Sequence, residues 1–182
     1  KFKIFDENTD SLKNLETVIW SPGIPHTYPT THPLAKRLLS SGHTLRCDID
    51  LLAETQTDAL FIGITGTNGK STTTALTQHI LQTAQKTVEI GGNFGIPALN
   101  LKPLINDEYY LLELSSYQLE LTPRLSCNIA VLLNITPDHL ERHNGLNGYI
   151  GSKMKLLNNQ TNSAIKIIVN NDTYTSQIIK ES

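Results

Sequence analysis

Residues Gly66-Thr67-Asn68-Gly69-Lys70-Ser71-Thr72 gather two glycines, one lysine and three hydroxyl side chains into seven consecutive positions. A loop of this composition can cradle phosphate. Its backbone N–H groups converge on an anion, Lys70 offers a mobile cation to the outer phosphates, and the Ser71 hydroxyl can hold Mg²⁺. The general phosphate-loop pattern asks for a glycine five residues before Gly69, where Ile64 stands instead, with Gly63 one residue further back. An ordinary β–α turn is the alternative. It leaves unexplained why a cation sits at a helix start, where the helix dipole disfavours it unless an anion is bound.

Further segments carry candidate chemistry. Glu113 interrupts the apolar run Leu111-Leu112-Glu113-Leu114 and is followed by Ser115-Ser116-Tyr117-Gln118. A buried carboxylate needs a cation, such as Mg²⁺, or else backbone N–H donors. Asn134-Ile135-Thr136-Pro137-Asp138-His139 delivers a histidine that can ligate a second metal ion, contact phosphate or stay solvated. In Gly91-Gly92-Asn93-Phe94-Gly95-Ile96-Pro97 the paired glycines can admit a ligand close to the backbone, with Asn93 donating to a phosphate or acyl oxygen; a plain turn is the alternative. Ser21-Pro22-Gly23-Ile24 is a second glycine turn, whose N–H groups can bind a diphosphate. Lys153 can be a solvated helix charge, a cation for phosphate, or an amine carbamylated by CO₂ into an anionic metal-organising group.

These residues need elements to hold them. Apolar runs at Thr17–Trp20, Thr44–Cys47, Leu60–Ile64, Thr87–Ile90, Tyr109–Leu114, Cys127–Ile135 and Ala164–Val169 read as strands. His32–Leu39, Asp48–Ala53, Ser71–Ala84 and Leu146–Leu157 read as helices, and Glu54–Asp58 as a polar linker. Strands apolar on both faces and separated by helices indicate an α/β fold with a parallel sheet covered by helices on both faces. Ligands of such sheets bind beyond the carboxyl ends of the strands, and every motif above falls just after a strand.

Composition narrows the classes. The chain has 182 residues and a net charge of −2, so it shows no basic signature for nucleic acid or an anionic membrane surface. Two distant cysteines, Cys47 and Cys127, give neither a disulfide framework nor a zinc motif and suit a reducing cytoplasm. No apolar stretch reaches the roughly 20 residues that span a bilayer. The chain opens at Lys1 and its only methionine is Met154, which reads as a fragment or a processed chain.

Taken together these segments resemble the Mur ligase family, the ATP-dependent amino-acid ligases of bacterial peptidoglycan synthesis. The Gly66–Thr72 loop is common to that superfamily. Gly91–Leu99 paired with Glu113–Glu120, with Asn134–His143 and Ser21–Pro25 in support, resembles more narrowly the members that add D-glutamate to UDP-N-acetylmuramoyl-L-alanine. The likeness runs from near Leu15 to near Leu157. It implies a P-loop-type central ATP-binding domain at residues 57–182, preceded at residues 1–56 by a truncated Rossmann-like domain for the UDP substrate, with the family's C-terminal domain absent. Phe5-Asp6-Glu7-Asn8 is a candidate remnant of the opening β–α unit. By motif position, Gly66, Thr67, Asn68, Gly69, Lys70, Ser71 and Thr72 would bind ATP. Ser71 and Glu113 would hold one Mg²⁺, and His139 a second, with Lys153 as the carbamylated lysine. Asn93 and Ser115 would contact the muramoyl substrate or the transferred phosphate, and Ser21, Gly23 and Ile24 the UDP diphosphate. The resemblance further implies a monomeric cytoplasmic enzyme of small-molecule substrates, and a fragment without ligase turnover of its own. The rival readings are a folylpolyglutamate-synthase-like ligase, a non-catalytic nucleotide-binding module and a generic P-loop kinase.

Overall fold

Period-two alternation of branched apolar residues decides which way each strand of the main sheet faces. In the computed structural model, which describes Leu12 and residues 15–181, the strands are β3 (Leu60–Thr65), β4 (Val88–Gly92), β5 (Tyr109–Glu113), β6 (Ile129–Leu132) and β7 (Ile165–Ile168). They form one sheet in the order β4-β5-β3-β6-β7, and every pairing is parallel. Phe61, Tyr110, Leu112, Ala130 and Leu132 enter the larger core, whereas Ile62, Ile64 and Leu111 form a second cluster with Leu81 packed against it. Phe5–Asn8, the candidate remnant, lies outside the described residues.

Helix α3 (Lys70–Thr83) follows β3, the short α4 (Ser116–Leu119) follows β5, α5 (Leu146–Asn158) follows β6, and α6 (Thr173–Glu181) follows β7. The expected helices are present, and two more appear. For α4 a reciprocal cap is closed, with Ser115 Oγ accepting from Gln118 N and Gln118 Oε1 accepting from Ser115 N. For α6 the Asp172 carboxylate accepts from the N–H groups of Tyr174 and Thr175. Both faces carry helices, but coverage ends short of β7, where Ile165 and Ile167 are exposed. No helix among the described residues is long and apolar enough to cross a membrane.

The topology sets up the site. β5 and β6 flank β3, so the loops after these three strands leave the same edge of the sheet from neighbouring positions. This is where the strand order reverses and where open α/β sheets place their ligands.

Upstream, β1 (Val18–Ile19) and β2 (Leu45–Arg46) pair in parallel, with α1 (Pro33–Ser40) and α2 (Asp48–Thr55) beside them. Trp20, Leu38, Leu45, Cys47, Ile49 and Leu52 belong to the same core as Leu112, Leu119 and Leu121. The polar stretch expected as a linker is therefore docked. Glu54 lies within α2 and pairs with both Arg46 and Arg124, and Gln56 Oε1 accepts from the Tyr110 hydroxyl at 3.0 Å. Asp50, fully buried, pairs with Arg46 and accepts from Arg124 N at 2.7 Å. Cys47 N also donates to Leu121 O at 3.0 Å.

Removing one partner of a buried ion pair leaves an uncompensated charge, whereas an exposed pair contributes little. Asp50→Ala is therefore expected to lower stability by about 3 kcal/mol. Arg124→Ala, whose side chain is 58% exposed, is expected to cost under about 1 kcal/mol. Urea unfolding of the two variants checks the ranking, and equal losses would refute this account of the seam.

Candidate active site

The glycine loop runs from the end of β3 into α3, and Gly69 caps that helix in the left-handed region at φ 80°. A side chain there would be strained, which is why the turn needs glycine. The loop is clamped from β6. Asn134 Oδ1 accepts from Thr67 N at 3.1 Å and Asn68 N at 2.9 Å, and its Nδ2 donates to Asn68 O at 2.9 Å. Thr67 Oγ1 lies 3.0 Å from the Tyr149 hydroxyl of α5. Neither the Asn134 clamp nor the Tyr149 contact was expected from the sequence. The available signal was only that Asn134 directly follows a strand.

Two lysines meet at this loop. Lys70 Nζ donates to Gly66 O at 3.0 Å and Thr67 O at 2.9 Å. Lys153 Nζ, carried by α5, donates to the same Gly66 O at 2.8 Å and sits 4.7 Å from the centre of the Tyr149 ring. Among the described residues neither ammonium is ion-paired with a carboxylate. Lys153 is 2% exposed. Burial, reinforced by the charge of Lys70 and opposed by Asp138, lowers its pKa to about 7. The Lys70 cation, beside a second amine that an incoming anion would keep protonated, makes a pocket suited to an anion.

Glu113 is tied to the start of α3. It is buried at the end of β5, and its carboxylate accepts from Ser71 Oγ at 2.7 Å and Asn93 Nδ2 at 2.8 Å. Both donors are neutral side chains, not the backbone amides considered above, so among the described residues the carboxylate has no cation. A buried acidic oxygen beside a serine hydroxyl is a hard-oxygen pair of the kind Mg²⁺ takes, with water and phosphate filling the remaining positions. The residues fit that ion. No group of three or more His, Cys, Asp or Glu among the described residues forms a metal cluster, so any metal here would rely on mixed donors.

Lys70, Asn93, Ser115, His139 and Lys153 line one cavity of about 160 Å³, together with Ser116, Tyr117, Asp138 and Tyr149. Larger open grooves exist, including one of about 710 Å³ around Asn170–Lys180, but it lies outside the convergence of the predicted residues. His139 is placed by a left-handed backbone at φ 49°, with its ring 5.1 Å from that of Tyr117 and Nε2 3.4 Å from Asp138 Oδ2. Its side chain remains half exposed at the rim.

Two expectations change. Gly91 and Gly92 admit their own chain instead of a ligand: a Cβ on Gly92 would overlap Glu113 O, and one on Gly91 would lie 2.6 Å from Ile96 O. The Gly92 contact brings Asn93 N to Glu113 O at 2.8 Å and so places the Asn93 side chain. The N–H of Ile24 is not freed, because it donates to Ser21 O at 3.0 Å. Ser21, Gly23 and Ile24 form an exposed turn that does not line the cavity.

Fold and site define a P-loop-type α/β domain. The family model described as the Mur ligase middle domain matches residues 64–182, and the chain belongs to that family. It is 60% identical over 142 residues, 78% of its length, to a Rhodospirillum rubrum protein named UDP-N-acetylmuramoylalanine–D-glutamate ligase. It is 44% identical over 178 residues, 98% of its length, to the Paramagnetospirillum magneticum protein of that name. The chain spans only 30% and 39% of the lengths of these relatives. Among solved structures, MurF ligase from Thermotoga maritima in complex with ADP aligns with TM-score 0.58 at 17% identity, covering 94% of this chain and 47% of that one. A UDP-N-acetylmuramate:L-alanyl-gamma-D-glutamyl-meso-diaminopimelate ligase from Neisseria meningitides aligns with TM-score 0.59 at 16% identity, covering 86% and 54%. These two share the fold.

The depressed Lys153 pKa has a thermodynamic signature. Between pH 7 and the ordinary lysine range the unfolded chain holds one proton more than the folded chain at this position, so stability rises with pH there. Lys153→Met should remove a slope approaching about 1.4 kcal/mol per pH unit. Denaturant midpoints of both proteins across that window, in magnesium-free buffer, measure it; parallel curves would contradict the assignment.

Proposed function

We propose that this chain forms part of an ATP-dependent ligase that joins D-glutamate to UDP-N-acetylmuramoyl-L-alanine. Residues 57–182 serve as its nucleotide-binding unit, and residues 1–56 as part of its UDP-substrate unit. The observation that carries this reading is the convergence of unpaired Lys70 and Lys153 with Asn93 and His139 around one cavity, with Asn93 bonded to the uncompensated carboxylate of Glu113.

In this reading the loop amides from Gly66 to Thr72 and the Lys70 ammonium bind the ATP phosphates. Ser71 and Glu113 hold Mg²⁺, with His139 and a carbamylated Lys153 toward a second ion. When bound, the metal neutralises charge on the transferring phosphoryl group. A lysine with its pKa near neutrality supplies the uncharged amine that CO₂ needs, which supports the carbamate. Asn93 and Ser115 contact the muramoyl substrate, and the Ser21–Ile24 turn contacts its diphosphate.

The alanine carboxylate attacks the γ-phosphorus, ADP leaves, and an acyl phosphate forms. The D-glutamate amine then attacks the acyl carbon, the C–N bond forms, the bond to phosphate breaks and the amine proton is released. The protein contributes positioning and preorganised charge, which supply most of the rate acceleration in such transfers. The family membership and the names of the relatives support this reaction class and its small-molecule substrates; the monomeric state and the cytoplasmic setting are parts of the proposal.

Binding tests the reading. Removing one charge-assisted hydrogen bond costs about 1.5–3 kcal/mol, so Lys70→Ala should weaken ATP affinity by about 10–150-fold while retaining UDP-N-acetylmuramoyl-L-alanine. Glu113→Gln should abolish the gain in ATP affinity on adding Mg²⁺. Calorimetric titration of each ligand decides both; ATP binding indifferent to Lys70 and to Mg²⁺ would rule the reading out.

A further inference from the structure

A chain of polar side chains, buried except for the partly exposed Glu120, ends at the cavity wall. Ser116 lines the cavity, and its Oγ lies 2.9 Å from His143 Nε2. His143 Nδ1 lies 2.9 Å from Glu120 Oε1, and the histidine side chain has no solvent exposure. The other Glu120 oxygen is 3.3 Å from Arg142 Nη1, and Arg142 Nη2 reaches His26 Nδ1 at 3.2 Å. The cavity wall is thereby tied to the residues just after the Ser21–Ile24 turn.

The order of protons follows from which groups can donate. Burial pushes Glu120 upward, but the His143 hydrogen bond and the nearby charges outweigh it and hold this carboxyl below its usual range. A carboxylate only accepts, so the proton facing it belongs to His143 Nδ1. With that as its one ring proton, His143 presents a lone pair at Nε2. Ser116 must donate its O–H to that lone pair, which leaves its remaining oxygen acceptor capacity for the cavity.

We infer that Ser116 is a ligand-facing acceptor, set in that sense by His143 and Glu120 as positioning residues, and that it recognises an amide or amine N–H of the substrate. Phosphate offers acceptors and would clash electronically with such a group, whereas Lys70, Lys153 and Asn93 already supply donors for it. The substrate assignment rests on the ligase reading; the proton order does not.

Nitrogen-15 histidine spectra of the 182-residue protein at mildly alkaline pH should show His143 protonated at Nδ1 and bare at Nε2. Glu120→Gln should shift this tautomer population. A protonated Nε2 in the unaltered protein would turn Ser116 into a donor and overturn the inference. One net hydrogen bond amounts to about 1 kcal/mol, so Ser116→Ala should lose about fivefold more affinity for UDP-N-acetylmuramoyl-L-alanine than for ATP. Equal losses for both ligands would mark Ser116 as merely structural and reject the substrate contact. If the unaltered protein binds neither ligand, the ligase reading and its substrate assignment fall together, while the spectra still decide the proton order.

Discussion

A carboxylate buried without a cation is the constraint around which this domain is organised. Glu113 sits at the end of β5, opposite Ile64 in the β3 register, so the strand pairing itself delivers it beside the glycine loop. Its two hydrogen bonds, from Ser71 and Asn93, draw in the start of α3 and the turn after β4. A desolvated anion of this kind is costly unless further positive charge arrives. Nearby, at the glycine loop, the opposite problem exists, with the amino groups of Lys70 and Lys153 sharing one carbonyl oxygen. Each half is electrostatically unfinished, and the two needs are of opposite sign. The sheet order makes this possible by bringing β5, β3 and β6 side by side.

The upstream segment takes part in the same arrangement. The core runs without a break from Trp20 and Leu45 into Leu112 and Leu119. Two polar bridges, one through Arg46, Asp50, Glu54 and Arg124 and the other through His26, Arg142 and Glu120, lie on the same seam. Both end next to α4, whose first residues line the cavity. Packed and hydrogen-bonded side chains thus connect the segment after the Ser21–Ile24 turn to the cavity wall, and residues 54 and 56 are themselves bonded across the seam.

Much of this architecture was legible because its signals are local. Strand, glycine loop and helix are contiguous in the chain, and an acidic residue inside an apolar run announces itself without any knowledge of its neighbours. The Asn134 clamp was not legible, because it depends on β6 lying next to β3, and nothing in either segment states that adjacency. Gly91 and Gly92 show the limit from the other side. Small residues reveal that something approaches closely, and here the visitor is the chain's own backbone at Glu113 and Ile96. The helix Ser116–Leu119 was missed, because four residues carry too little periodicity to register and the capping spacing of Ser115 and Gln118 went unread. His139 owes its direction to a left-handed backbone that no pattern of residue types encodes.

The open flank at β7 bears on how the polypeptide behaves in bulk. Among the described residues this strand pairs only with β6, and its two solvent-facing isoleucines flank an unpaired row of main-chain donors and acceptors. Such an edge is a template for intermolecular strand addition. This edge is remote from the rim where the glycine loop lies, on the far side of β6 from β3. The substitution Ile167→Lys would place on this face the kind of charge that natural edge strands use against strand addition.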